Sequence, residues 1–458
     1  MKMAAIRCCR PSIFSRTISS VRNRKSPCLN CKLAEPETHE ATRAFLVNAA
    51  HLLTISLKKD MLVAKVLRLT NALRLFGFLT VGCALAQLAV ASAWADPEQA
   101  FSLQGFGTLG VARTTTNDLE FVRDLSQPSG IKKAWDGRVD SVLGLQGAWH
   151  INKQLEAVVQ STIRYRYDKT YNPEIAWAYV KYDPTPNLSL RAGRLGTEFF
   201  MMADSRWVGY SFLTVRPPGD YFWYLPFYSI HGADVAYTRP VDDDLLRLKV
   251  FYGNSNGQIP LADRQWEIKG SPMLGAFVEY QISSWLIRAS YANITFKNDL
   301  PIGGLVPAAS AEYLSMKDKR TDYYSLGVVY DQGPLQLQLM LNYIEQGNNA
   351  LENSNGGYVL AGYRIREVTP YLGYSWVRSA RRPSADPYVS HVMADSHSDQ
   401  KTSIVGMRWD VARNVAIKAQ WDGVRGDPTS IFPYRNDPSN GRWSGKMDIY
   451  SLTVDFVF

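Results

Sequence analysis

After residue 95 the chain has no cysteine. All five, Cys8, Cys9, Cys28, Cys31 and Cys83, come earlier. The body from 96 onward therefore holds neither a disulfide framework nor a thiolate metal site, and it suits a protein that crosses an oxidising compartment. Histidine is scarce as well: the body has four, His150, His231, His391 and His397. The last two sit six apart in a polar stretch with Asp395 and Asp399, which reads as a solvated loop. Neither His150 nor His231 has a marked nucleophile to serve, and no glycine-rich phosphate loop links a strand to a helix. The sequence therefore gives no expectation of catalysis, cofactor or metal.

Two further absences narrow the class. No apolar run after residue 95 is long enough for a spanning helix. A charge imbalance is also missing from the body. Residues 1–95 carry 14 Lys/Arg and 4 Asp/Glu, which leaves 37 basic and 38 acidic residues for the rest. The formal charge of +9 belongs to the leader, so it supports no nucleic-acid partner.

What is present begins at Met61. Lys65, Arg68 and Arg74 precede an apolar run from Phe76 to Val90, and Ala93-Trp94-Ala95 offers a small-x-small cleavage site before Asp96. This is the pattern of a cleaved export signal over 61–95. Residues 1–60 read as an extension outside the mature protein; Cys28-Leu29-Asn30-Cys31 is a lone CxxC with no second pair. The mature chain is then 96–458.

That body alternates. In Leu335-Gln-Leu-Gln-Leu-Met-Leu-Asn-Tyr343 and again in Tyr450-Ser-Leu-Thr-Val-Asp-Phe-Val-Phe458, apolar residues recur at every second position. Side chains on a strand point alternately to opposite faces, so each segment has an apolar and a polar face. Sixteen such candidates follow one another. Tight turns near 152–153, 183–187, 240–244, 281–284, 331–334, 366–367 and 411–414 alternate with long polar stretches. Strands of about ten residues joined by short turns on one side and long loops on the other predict an all-β transmembrane barrel. Aromatics near strand ends, among them Trp285, Tyr291, Tyr324 and Tyr330, fit interfacial girdles. Tyr450, Leu452, Val454, Phe456 and Phe458 form the apolar row of the last strand and read as its assembly signal.

One segment breaks the rhythm: Gly193-Arg-Leu-Gly196, then Asp204-Ser-Arg-Trp-Val-Gly-Tyr210, then Val215-Arg-Pro-Pro218 before Tyr221-Phe222. It resembles a segment of the outer-membrane porins of Gram-negative proteobacteria, as do Thr369–Trp376, Arg408-Trp-Asp410, Gln420-Trp-Asp422 and the terminal strand. The resemblance implies a general-porin-like, sixteen-stranded, trimeric barrel in the outer membrane. Lipid, lipopolysaccharide and the barrel-assembly machinery are its implied partners. It also implies that about 195–227 folds inward as a constriction loop, although no acidic P-E-F-type tip is present.

Charged residues cannot face lipid cheaply, so those opposite the apolar rows are expected to line the lumen. The pore candidates are Arg164, Arg166, Arg191, Arg194, Asp204, Arg206, Arg216, Asp220, Arg247 and Arg288. Arg164, Arg166 and Arg191 are expected to form one basic patch, with Asp204 and Asp220 facing it from the loop. A bulge at Gly193 would turn Arg194 inward beside Arg191. The implied function is passive diffusion of small hydrophilic solutes with mild anion preference. Two alternatives stay open: a substrate-specific anion channel, and a non-conducting barrel acting as adhesin, anchor or membrane enzyme.

Overall fold

A computed structural model describes residues 100–261, 264–430, 434–436 and 443–458. The expected extension and export signal lie outside the described residues. Among those described, sixteen strands close a barrel in which each pairs antiparallel with its sequence neighbours. The first half comprises β1 (Phe101–Thr114), β2 (Val142–His150), β3 (Leu155–Arg164), β4 (Glu174–Thr185), β5 (Leu188–Gly196), β6 (Ser229–Val241), β7 (Asp244–Ser255) and β8 (Pro272–Ile282). The second comprises β9 (Trp285–Thr295), β10 (Arg320–Gln332), β11 (Leu335–Gln346), β12 (Ser354–Tyr363), β13 (Val368–Ser379), β14 (Asp399–Ala412), β15 (Val415–Gly426) and β16 (Lys446–Val457). Most exceed the roughly ten residues that a tilted strand needs to span a bilayer.

The alternation read from sequence sets the two faces. On β11, Met340, Asn342 and Ile344 are buried inside while Leu337, Leu339 and Leu341 face out. Outward apolar residues line up across strands, Val328 with Leu339, Leu339 with Val359 and Val359 with Tyr374. Such cross-strand pairs stabilise a sheet. Trp285 lies tilted against Tyr330, and six residues further along β9 Tyr291 lies beside Tyr324. At about 3.4 Å per residue the two aromatic pairs are about 20 Å apart along the strand.

The tight turns obey backbone chemistry. Asp242, Ser283 and Gly333, at φ 54°, 51° and 59°, supply the left-handed residue of two-residue hairpins. Closure comes from β1 against β16, from Phe106 with Val457 to Thr114 with Ile449. Gly105 and Phe458 extend it by exchanging backbone hydrogen bonds of 2.8 and 3.0 Å. The Phe456 and Phe458 rings lie flat over Gly107 and Gly105, where a Cβ would meet ring carbons within 3 Å. A side chain at either glycine would have to push the end of that ring aside. Tyr450 and Leu452 are exposed outward while Ser451, Thr453 and Asp455 are buried inside, in the phase read from sequence.

Candidate functional site

The 32 residues between β5 and β6 do not leave the barrel. They carry Phe199, Phe200, Met201, Tyr221, Phe222, Leu225 and Phe227, all buried in one apolar cluster with the inward residues Phe251, Met273, Ile294, Tyr323, Met340, Tyr358 and Tyr371. Phe199 lies between Phe227, Phe251 and Tyr323 at ring distances of 4.8, 5.8 and 5.1 Å. So many rings cannot stay in an aqueous loop, and burying them against the inner wall draws the segment inward. Its descent is deep: the Tyr210 hydroxyl donates to the Arg413 carbonyl, in the tight turn at the opposite end, at 2.6 Å.

Polar contacts fasten the loop to β13–β16. Arg216 donates to both oxygens of Asp140 at 2.8 and 2.6 Å, to Asp422 at 3.0 Å and to Ser451 at 2.6 Å. Asp220 accepts from Ser375 and Gln400, both at 2.6 Å. Burial pushes the Asp220 carboxyl above its ordinary range, and these hydrogen bonds only partly offset it. Lys418 Nζ donates to the Gly209 and Thr214 carbonyls at 2.7 and 3.0 Å, and Arg408 donates to those of Tyr210 and Phe212. These inward faces are shut: Thr369, Ser375, Gln400, Lys418, Gln420, Thr453 and Asp455 are all buried.

The opposite wall is different. Arg191 reaches Asp234 at 2.7 Å and Glu198 at 3.2 Å. Lys249 bonds Glu198 and lies 3.1 Å from Asp234; Arg288 lies 3.7 Å from Glu198 and 2.5 Å from Glu279, and Arg247 lies 3.9 Å from Glu279. Cross-strand register places these charges together, since Arg191 pairs with Asp234, Arg247 with Glu279 and Glu279 with Arg288. Glu198, two residues past β5, thus joins cations of β5, β7 and β9. Burial alone would raise its carboxyl, but Lys249, Arg191 and Arg288 hold it below the ordinary range. Parts of this wall remain accessible: the Arg191, Lys181 and Arg247 side chains are 21%, 33% and 35% exposed.

The expected basic patch does not form as one unit. Arg164 and Arg166 gather on Glu174 at 3.5 and 3.8 Å and Arg194 joins them at 3.2 Å, whereas Arg191 turns to Asp234. The β5–β6 register runs unbroken through Gly193, which takes φ 135° without a bulge. Arg194 consequently pairs with His231, out of phase with Arg191. The two expected loop acids part ways: Asp204 lies near Arg288 and Lys249 of the wall, beside Glu198, whereas Asp220 turns away. Asp220 is buried against β13 and β14, and Asp204 makes no ion pair within 4.0 Å among the described residues. Their role falls to Glu198, which sequence reasoning missed although it stands beside the Phe199-Phe200 pair that anchors the loop. Arg206 is buried and donates to the Phe227 carbonyl at 2.6 Å. His397, read as solvated, is buried and bonded to Glu352 at 2.7 Å. Among the described residues no cluster of three metal-ligating side chains occurs.

No protein-family model and no curated protein sequence matches the chain. Solved structures do. Salmonella typhi OmpF, in complex with daunomycin, is similar at 14% identity and TM-score 0.50, over 78% of this chain and 97% of that one. An anion-selective porin from Comamonas acidovorans matches at 12% and 0.47, over 78% and 99%. The outer-membrane channel DcaP of Acinetobacter baumannii matches at 14% and 0.48, over 78% and 97%. The described chain has the fold of the Gram-negative outer-membrane porins: a closed sixteen-stranded antiparallel barrel with one loop folded into its lumen.

Proposed function

We propose that this protein is a porin of a Gram-negative outer membrane, a water-filled channel for passive diffusion of small hydrophilic solutes without turnover. The observation that carries the reading is the division of the lumen. A loop fastened to β13–β16 leaves a charged, partly accessible wall on β3–β9 for a polar path. Preference for anions is mild, because nearly every wall cation has a carboxylate partner. The anionic sign rests on Arg191 at 21% against Asp234 at 3% and Arg247 at 35% against Glu279 at 13%, and it is opposed by Glu174, which at 25% is more exposed than Arg164, Arg166 and Arg194. Rings of basic groups around a narrow aqueous path favour anions.

Planar-bilayer recording on refolded 96–458 tests this directly. Stepwise conductance with a small anion-sign reversal potential in a KCl gradient is expected. A silent barrel would leave the adhesin, anchor or enzyme readings standing, and saturation by one anion class would indicate a specific channel. The barrel is proposed to work as a homotrimer among lipid and lipopolysaccharide, which crosslinking in native membranes would detect. The mature start is proposed at Asp96; intact mass of outer-membrane material decides it, and a product that keeps Cys8 to Cys31 would refute it. Phe458 is proposed as the mark read by the assembly machinery, so its deletion should leave exported protein uninserted.

A further inference from the structure

Where the first long loop (115–141) meets the inward loop, three arginines crowd two rings. Arg123 and Arg164 lie over Trp207 at 4.7 and 4.5 Å, and Arg164 and Arg206 lie over Tyr228 at 4.4 and 4.2 Å. Arg123, Arg164 and Arg206 are 6%, 5% and 4% exposed, and Trp207 is 9%. The rings satisfy the guanidinium faces, but the N–H groups lie in the guanidinium plane and still need acceptors. Arg206 spends one nitrogen on the Phe227 carbonyl; its Nε and Nη1 have no hydrogen-bond partner among the described residues, nor do Arg123 Nη1 and Trp207 Nε1.

The charges do not balance either. Asp124 lies near Arg123, Arg164 and Arg206, and Asp204 also lies near Arg206; the Asp124 Oδ1 already accepts from Ser126 N, Ser126 Oγ and the Tyr228 hydroxyl at 2.6 to 2.8 Å. Asp140 is taken by Arg216 and stays 3.8 Å from Arg123, while Glu174 is shared by Arg164, Arg166 and Arg194. Buried cations with orphaned donors are costly unless an acceptor of opposite charge meets them. A neutral acceptor would fill a donor without offsetting the excess charge. We infer that this junction holds one small anion, of halide or oxyanion size, bonded to Arg206 Nε and joining the first long loop to the inward loop. The site is distinct from the wall of Arg191, Lys249 and Arg288, and it would exist even in a barrel that conducts nothing.

The test therefore uses no conductance. Crystals of the refolded barrel grown in bromide should show anomalous density beside Arg206 Nε. In solution, the unfolding temperature is compared in chloride, sulfate and gluconate at equal ionic strength. One small anion should raise it by a few degrees when present at about a hundredfold excess over its dissociation constant. Arg206→Gln should abolish that difference and Arg247→Gln should keep it. If Arg206→Gln fails to fold, bromide crystallography and the salt series on the unaltered protein decide alone. No buried bromide and identical unfolding temperatures in all three salts would overturn the inference, as would an anion effect that survives in folded Arg206→Gln.

Discussion

The two halves of the inner wall are built from the same alternating strands and differ in what faces them. Along β13–β16 inward polar side chains hold the inward loop: Asp422 and Ser451 bind Arg216, Ser375 and Gln400 bind Asp220, and Lys418 reaches two loop carbonyls. Along β3–β9 the charges meet mostly each other, with Glu198 as the loop's contribution to three cations. The first arrangement is a core that uses polar groups as fasteners. The second is a surface that remains partly wet. An ion pair fixes structure when water is gone and shapes a field when water is near.

The largest expected effect breaks the fastened half. Arg216→Ala removes the partner of two buried carboxylates and should cost about 3–5 kcal/mol. In heat-modifiability gels the folded band should be lost at lower temperature, and any inserted channel should become noisy as the loop loosens. Unchanged stability would mean that Asp140 and Asp422 hold nothing.

A smaller effect separates the halves by charge. Glu198→Gln frees three cations beside the path at a stability cost of about 2 kcal/mol, and it should move the reversal potential in the anion direction. Asp220→Asn removes the same charge from the shut half and should leave that potential where it was. Equal shifts from both would show that the path does not favour β3–β9.

The smallest concerns an exposed pair. Arg247 is held by Glu279 at 3.9 Å on the wet side, so Arg247→Ala should change stability by less than about 1 kcal/mol. Single-channel recording should still detect a slightly weaker anion preference. A large loss of stability would show that the wall is packed like β13–β16.

The sequence alone settled the barrel, because strand phase is a local property. Lipid accepts Leu337, Leu339 and Leu341 and rejects charge, so the outward rows had to be apolar and the charged rows inward. The turn positions and the break in rhythm after Gly196 were legible for the same reason. Which partner each inward charge takes was not. Arg191 chose Asp234 because β5 and β6 place them directly opposite, and Glu198 outranked Asp204 and Asp220 because the Phe199-Phe200 anchor swings it toward Lys249. Arg206 reads as a pore residue in the chain and becomes a buried one only when two loops close over Trp207 and Tyr228. A two-residue period fixes the face on which a side chain lies; only tertiary closure, which brings loops distant in sequence into one water-poor space, fixes what that side chain meets.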